Sequence, residues 1–306
     1  MAKLFRMGIV LAVLLCLAAC GAKPAEPTES STTEITTEAF SFPEINFPLP
    51  EITSVNDATA QPDVPAVAPP VTTTPGSTQP IPPPTAPETV TVVIPEGFTF
   101  YQVARRLEAN GVCTAAGFTA AAQAYQIQSF PAPVSPKSCY KMEGMLFPDT
   151  YEFYLGEEPE AALRRMLNNY AEKSGLPDYN TLILASIIER ETRSDSHMAM
   201  VSSVFHNRLK QGMKLQADAT KAYVEEHIKQ DPLVKNPGQY ADLYNTYTCR
   251  ALPEGPICSP GLRAIEAAKN PSTSDYLYYF FGQDETNHYT YTYDEHLAAI
   301  KLYGLG

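Results

Sequence analysis

The stretch LILASIIERETRSDSHMAMVSSVFHNRLKQGMKLQADAT, residues 182–220, sets two acidic residues at the end of an otherwise apolar helix. Asp178 or Asn180 is placed to cap the amino terminus of that helix. Small and apolar residues then follow at positions i, i+3, i+4 and i+7, which is the spacing of one helix face: Leu182, Ala185, Ser186 and Glu189. We therefore look for chemistry first in this stretch.

The two glutamates of this helix point in different directions. At roughly 100° per residue, Glu191 lies about 200° beyond Glu189, on the apolar stripe of the helix. The two carboxylates therefore cannot enter one cleft, and at most one of them is a catalytic acid. A carboxyl group held against apolar walls has a raised pKa and donates a proton near neutral pH, as glycoside cleavage requires.

The alternative is that both glutamates are structural. Arginines at 190, 193 and 208 are available as ion-pair partners, and most acidic residues in helices are solvated or paired. Helical spacing alone leaves both interpretations open.

A second helix follows, capped by Asp195 or Ser196 and ending before Gly212. Beyond it, Gln216, Asp218 and Thr220 alternate along the chain. In an extended segment their side chains would share one side and hydrogen-bond the hydroxyl groups of a sugar.

Several long words of the sequence resemble the endolytic murein transglycosylase family, also called MltG or YceG-like. The similarity runs from Val90 to the carboxyl end, and the words are LASIIERET, SVFHNRLKQGMKLQADAT, YNTYTCRALPEGPICSPG and YLYYFFGQDETNHYTYTYDEH, with VVIPEGFTFYQVARRLEANGV and EGMLFPDTYEFYLGEEPEAALRRML before them. The family usually has proline between the Asp and Thr of its QTDPT-like word. This chain has QADAT, with alanine at 217 and 219, and the loop is less rigid for it.

The resemblance implies a mechanism with one acid. It assigns the catalytic glutamate to Glu189 and the cleft-lining positions to Gln216, Asp218, Thr220, Tyr244 and Asn245. Glu189 would protonate the glycosidic oxygen and then, as a carboxylate, take the proton of the C6 hydroxyl, which closes on C1 to leave a 1,6-anhydromuramyl end.

Residues 1–20 are typical of a bacterial lipoprotein signal. Lys3 and Arg6 precede an apolar run, and small residues precede Cys20 in the word LAAC. The uncharged stretch is shorter than the roughly 20 residues that span a bilayer. We expect a lipid on Cys20 that anchors the chain to the membrane outside the cytoplasm; the alternative is an uncleaved anchor.

Residues 21–87 form a predicted disordered linker. They hold 15 of the 28 prolines and eight acidic residues against Lys23 as the one base. Such a composition buries too little apolar surface to fold.

The remaining residues predict an α+β fold in two parts. Residues 88–175 form a small subdomain with a strand at Val90–Ile94, a helix at Thr99–Asn110, a second helix from Thr114 and a strand at Phe147–Tyr154, a pattern that the resemblance identifies as LysM-like. Residues 176–306 form the catalytic domain. Its carboxyl part is predicted to hold a helix at Ser259–Ala268 and a hairpin of Tyr276–Phe281 with His288–Tyr293.

Tyrosine must supply any flat surface for a sugar ring, because the chain has no tryptophan. Tyr244 and Tyr247 are the best placed of the tyrosines.

Four cysteines remain after signal processing, in an export context that permits disulfides: Cys113, Cys139, Cys249 and Cys258. They allow three connectivities. Pairing within each domain, Cys113 with Cys139 and Cys249 with Cys258, is the least demanding.

Other function classes are excluded or disfavoured. The histidines at 206, 288 and 296 lack the close spacing of metal ligands, so we expect no metal, and no phosphate loop or dinucleotide fingerprint implies a cofactor. The net charge of −12 argues against nucleic acid as a partner.

The sequence therefore predicts a membrane-tethered lytic transglycosylase of peptidoglycan, working beside peptidoglycan synthases. The alternatives are a noncatalytic wall-binding lipoprotein and a hydrolysing muramidase, which would need a second carboxylate, with Asp218 as its candidate.

Overall fold

A strand pair and a helix pair open the folded part of the chain. In the computed structural model, which describes residues 87–126, 135, 137–192, 194–249 and 251–304, β1 (Thr89–Ile94) pairs antiparallel with β2 (Asp149–Tyr154), and Val92 lies opposite Tyr151. Helices α1 (Phe100–Ala109) and α2 (Ala115–Ala124) lie between them in the chain. The predicted strands and helices of this part are confirmed to within two residues. The predicted signal with Cys20, and the linker up to residue 86, lie outside the described residues.

Local signals explain where the first helices begin. Thr99 caps α1 in a capping box with Gln102, because each side chain accepts a hydrogen bond from the other residue's backbone N–H. Thr114 caps α2 by accepting from the N–H of Gly117. Each cap supplies a partner to an N–H group that the helix itself leaves free.

Helices dominate the rest of the chain. They are α3 (Pro159–Lys173), α4 (Tyr179–Glu191), α5 (Asp195–Lys210), α6 (Asp218–Tyr223), α7 (Tyr240–Tyr244), α8 (Leu262–Lys269) and α9 (Tyr293–Tyr303), with a π-helical turn at Val224–Ile228 and a 3₁₀ turn at Pro237–Gln239. A second antiparallel pair, β3 (Tyr278–Phe281) and β4 (Asn287–Thr290), is the predicted hairpin. The α+β class is confirmed.

Helix α4 lies at the centre of the molecule. Every residue from Leu182 to Glu189 is buried, with Asp178 as the observed cap. Its apolar residues belong to one hydrophobic core that extends from Val92 in β1 to Ala268 in α8. The core is thus continuous across residue 175, and the division into two domains at that point stays a prediction. No helix among the described residues is long and apolar enough to cross a membrane.

Helix α8 begins later than predicted. The helix starts at Leu262 after Gly261, whereas the sequence predicts a start at Ser259. Ser259 donates its N–H to the carbonyl of Phe98 and accepts from the N–H of Gly97. Because these two hydrogen bonds hold the backbone of Ser259 to the turn after β1, the segment stays extended for two more residues.

Candidate functional site at the carboxyl end of helix α4

The face of α4 that was predicted to line a cleft is covered by the segment before α8. The hydroxyl of Ser186 accepts a hydrogen bond from the N–H of Ile257 at 3.0 Å. One turn later, Oε2 of Glu189 accepts from the N–H of Gly261 at 3.1 Å. Gly261 is the capping residue of α8, so the Glu189 carboxylate lies at the positive end of that helix, where a negative charge is stabilised.

Two glycines allow this close packing. Gly97, beside Glu189, has φ +78°, a left-handed backbone conformation that favours glycine. A side chain at Gly261 would overlap the carboxylate of Glu96. Glu189 is 7% exposed in this packing, and its surroundings are those of a structural carboxylate.

Glu191 leaves the same helix in the opposite direction. It is the last residue of α4, where the apolar stripe of that helix reaches the surface. Its Oε2 atom accepts a hydrogen bond from the hydroxyl of Tyr279 at 2.9 Å. Its Oε1 atom is shielded from solvent and has no hydrogen-bond partner among the residues that the structure describes.

The surroundings of Glu191 favour its protonated form. Burial raises the pKa of this carboxyl group, and the charge of Asp218 raises it further. The hydroxyl of Tyr279 and the N–H of Ala219 act against this shift, because both stabilise the carboxylate. The net pKa lies above the ordinary value for glutamate, as a general acid at neutral pH requires.

Asp218 and Tyr247 extend the site from Glu191 toward solvent. The hydroxyl of Tyr247 donates to Oδ1 of Asp218 at 2.8 Å. The ring of Tyr247 is 36% exposed and lies 4.9 Å from Nζ of Lys221. Asn245 holds the backbone of Tyr247, because its Oδ1 accepts from the N–H of Tyr247 at 3.1 Å. A half-exposed ring beside two carboxylates suits a sugar that stacks and hydrogen-bonds at once.

Arg208 joins the loop before α6 to the hairpin. Its guanidinium donates to the carbonyl of Leu277 at 2.6 Å, to that of Leu215 at 2.8 Å and to Oε1 of Gln216 at 3.2 Å. Gln216 itself has φ +54°, a strained conformation for a residue other than glycine. Arg208 thus holds the exposed Gln216 in place and fixes the loop that leads to Asp218.

Two predicted cleft residues lie in the core. Thr220 is fully buried because α6 starts at Asp218, which replaces the predicted extended alternation by helical spacing and turns Thr220 inward. Its hydroxyl donates to the carbonyl of Ala217 at 2.8 Å. Tyr244 is also fully buried, with its ring 5.1 Å from that of Tyr223. Neither side chain can contact a glycan, and both predictions are corrected to structural roles.

Neither predicted disulfide is formed in the structure, where all four cysteines of the described residues are free. The thiol of Cys258 is buried and donates to the carbonyl of Ser186 in α4. The thiol of Cys249 lies against the carbonyls of Asp242 and Leu243 in α7. The two thiols thus contact different elements of the structure. Burial raises the pKa of Cys113 to about 11 and that of Cys139 to about 12, so both are held as thiols.

Glu143 shows that a raised pKa alone does not identify the acid. Burial raises the pKa of Glu143 to about 7. One of its oxygens accepts from the N–H of Phe100 and the other from the hydroxyl of Tyr223, each at 2.8 Å. Both oxygens are engaged inside the core, so Glu143 joins α1 to α6 and offers nothing to a substrate.

The sequence predicted the divergence of the two glutamates of α4 and placed the catalytic role on Glu189, which the structure packs against Gly261. Sequence reasoning missed Tyr279 and Arg208, whose roles depend on contacts across 69 to 88 residues. One signal was available, because Glu191 follows the apolar stripe at the helix end, where that stripe has to meet solvent.

Comparisons with known proteins agree on one family. Residues 79–302 match the model of the YceG-like family. The endolytic murein transglycosylase of Bacillus subtilis strain 168 is 33% identical over 178 residues, which cover 54% of this chain and 48% of the relative. That of Streptococcus pneumoniae strain D39 is 29% identical over 227 residues, which cover 64% of this chain and 41% of the relative. The chain thus spans less than half the length of these curated relatives.

A solved structure is similar as well. The crystal structure of a YceG-like protein from Listeria monocytogenes aligns with a TM-score of 0.57 at 28% identity, over 68% of this chain and 75% of the other.

Proposed function

We propose, since the chain belongs to the YceG-like family, that it is a lytic transglycosylase that cleaves glycan strands of peptidoglycan between N-acetylmuramic acid and N-acetylglucosamine. The curated relatives are named endolytic murein transglycosylases, which supports internal cutting. The observation that carries the chemistry is Glu191: a carboxyl group with a raised pKa, next to Asp218 and the half-exposed ring of Tyr247. We assign the general acid to Glu191 in place of Glu189.

The proposed reaction uses Glu191 twice. Its carboxylic acid protonates the glycosidic oxygen as the bond between that oxygen and C1 breaks. The resulting carboxylate then accepts the proton of the C6 hydroxyl of the same muramic acid, whose oxygen bonds to C1. The product ends in a 1,6-anhydro ring, no water is consumed, and Glu191 returns to its protonated form.

The remaining cleft residues position the sugar. Tyr247 offers a ring face, Asp218 and Gln216 offer hydrogen bonds to hydroxyl and amide groups, and Asn245 holds the backbone of Tyr247. Oε1 of Glu191 is shielded from solvent and has no hydrogen-bond partner among the described residues, so a bound sugar would supply that partner. Exclusion of water at this point favours attack by the C6 hydroxyl over hydrolysis.

A second candidate function is hydrolysis with two carboxylates. It is favoured by the proximity of Asp218, whose charge acts on Glu191, because a hydrolase needs a second carboxylate as nucleophile or base. The products distinguish the two reactions. We expect mass spectrometry of purified glycan strands, digested with this protein, to show anhydro ends. Reducing muramic acid ends would establish the hydrolase, and undigested strands would indicate a noncatalytic wall-binding protein.

The first subdomain is proposed to be a LysM-like module that helps hold the glycan. The support is its strand, helix, helix, strand order with β1 paired antiparallel to β2. Calorimetry of chitooligosaccharide binding to the whole chain would test this proposal. Substitutions within residues 88–175 should abolish the binding, and substitutions elsewhere should not.

The location is proposed to be the outer face of the cell membrane, with the lipid on Cys20 as anchor and synthases as neighbours. The support is the signal-like sequence before Cys20. Cys20→Ala should leave an unlipidated precursor that no longer partitions into detergent, and cleavage elsewhere without lipid would contradict the proposal.

A further inference from the structure

The hydroxyl of Tyr279 holds only one of the two oxygens of Glu191, and this asymmetry has a chemical consequence. We infer that Tyr279 is a positioning residue that keeps the transferable proton of Glu191 on Oε1. The inference rests on the proposed role of Glu191 as the acid.

The position of Tyr279 is fixed by packing. It lies in β3 opposite Tyr289 of β4. Its ring meets that of Phe205 edge-on, with 6.0 Å between the ring centroids. A ring held on both sides leaves its hydroxyl little freedom except rotation about the C–O bond.

The direction of the hydrogen bond decides where the proton of Glu191 lies. Burial raises the pKa of Tyr279 well above its ordinary value, so its hydroxyl remains a donor throughout the working pH range. The donated bond goes to Oε2 at 2.9 Å. An oxygen that accepts this bond is the carbonyl-like oxygen of a carboxylic acid, and the proton then belongs to the other oxygen.

Oε1 is the oxygen that is left for the substrate. It has no hydrogen-bond partner among the described residues; a buried unpaired polar atom is costly, and a catalytic role is one reason for a protein to keep one. The hydrogen bond from Tyr279 therefore gives the two oxygens of Glu191 different roles: Oε2 accepts from Tyr279, and Oε1 carries the proton that is transferred.

Four other titratable or charged groups face this pair. Asp218 from α6 raises the pKa of Glu191. Arg208 from α5 lowers the pKa values of Tyr279 and Tyr247, and Tyr289 from β4 raises that of Tyr279. Tyr247 is the fourth group, because the charge of Glu191 raises its pKa. These four groups act through their charge, whereas the Tyr279 hydroxyl bonds a Glu191 oxygen directly. Removal of that hydroxyl is therefore a local change.

Tyr279→Phe tests the inference because it removes one oxygen and keeps the ring. A carboxylate that loses a donor has a higher pKa, and a general acid loses activity as pH rises through its pKa. We expect the alkaline limb of the kcat profile to move upward by about half to one pH unit. We also expect kcat at the optimum to fall by about threefold to tenfold, with KM unchanged within about twofold, since the proton is no longer confined to one oxygen.

Tyr289→Phe is the matched control. Tyr289 lies beside Tyr279 on the same sheet face, but its hydroxyl bonds Nδ1 of His197 at 3.0 Å and not a carboxylate. Loss of the Tyr289 hydroxyl should leave the alkaline limb of the kcat profile at the same pH as in the wild type. Should Tyr279→Phe prove insoluble, 3-fluorotyrosine at position 279 is a stronger donor of the same shape and should move the limb downward.

The outcomes separate this inference from the proposed function. Tyr279→Phe with a pH profile that superimposes on the wild type, or fluorotyrosine without effect, overturns the positioning role. Glu191→Gln measured in parallel addresses the acid itself: wild-type activity in that variant would overturn the assignment of Glu191, whatever Tyr279 does.

Discussion

The two sides of helix α4 use the same residue type for opposite purposes. On one side Glu189 accepts the N–H of Gly261 and stabilises the start of α8. On the other side Glu191 lies among Tyr279, Asp218 and Ala219, with one oxygen unpaired among the described residues. Both carboxyl groups are largely buried, and what separates them is whether the surroundings satisfy the group or leave it able to react.

This difference shows that burial by itself is a poor guide to catalysis. Glu143 is more deeply buried than Glu191 and also has a raised pKa, yet both of its oxygens are engaged by the protein. A general acid needs a raised pKa together with an oxygen that the fold leaves for the substrate.

The largest expected effect contrasts the two glutamates directly. Glu191→Gln should lower kcat by about 10² to 10⁴-fold, the usual loss for a general acid, without unfolding the protein. Glu189→Gln keeps an acceptor for Gly261 and should retain activity within about threefold. Release of anhydromuropeptides gives the rates, and circular dichroism checks the fold. A larger loss of activity in Glu189→Gln than in Glu191→Gln would contradict the assignment of the acid to Glu191.

Glu143 should make the stability of the protein depend on pH. Its pKa is raised from 4.5 to about 7 in the folded state, so the folded state binds more protons than the unfolded state between these values. Stability therefore falls as pH rises through this range, by on the order of 3 kcal/mol once the group is ionised. Urea titrations at pH 4.5 and 8 should show this loss in the wild type relative to Glu143→Gln. Equal pH dependence in the two proteins would show that Glu143 does not titrate in this window.

Removal of the Glu189 side chain should affect stability and spare chemistry. In Glu189→Ala the N–H of Gly261 loses its buried acceptor, which costs about 1–3 kcal/mol of unfolding free energy. Urea unfolding measures the loss, and glycan digestion below the transition should proceed at nearly the wild-type rate. A stable but inactive Glu189→Ala protein would return the catalytic role to Glu189.

The smallest expected effect concerns the departure from the family's proline. Ala219→Pro removes the N–H that lowers the pKa of Glu191, so this pKa should rise and the alkaline limb of kcat should move upward by less than about half a pH unit. Proline is tolerated in the first turn of a helix, where residue 219 lies. Ala217→Ser, which leaves that N–H in place, is the control. A downward shift for Ala219→Pro would contradict the proposed contact.

Local patterns in the sequence predicted most of the elements near their observed bounds. The predicted helix starts at Thr99 and Thr114 lie within one residue of the observed starts, because the caps that set them act within three residues. The start of α8 and the fate of Thr220 were missed because they depend on partners far along the chain, such as Phe98 for Ser259 and Thr246 for the backbone of Ala217.

The sequence by itself determined the family, the α+β class, the presence of helix α4 and the divergence of its two glutamates, because helical periodicity is a local property of the backbone. Only the tertiary structure decided which glutamate of α4 is held by the segment before α8 and which keeps one oxygen without a partner among the described residues. That choice depends on the packing of residues 257–261 against Ser186 and Glu189, and on the approach of Tyr279 to Glu191 from 88 residues away. Residues 182–189 of α4 are buried all round, so helical periodicity gives only a weak signal for which side of the helix carries the proposed acid.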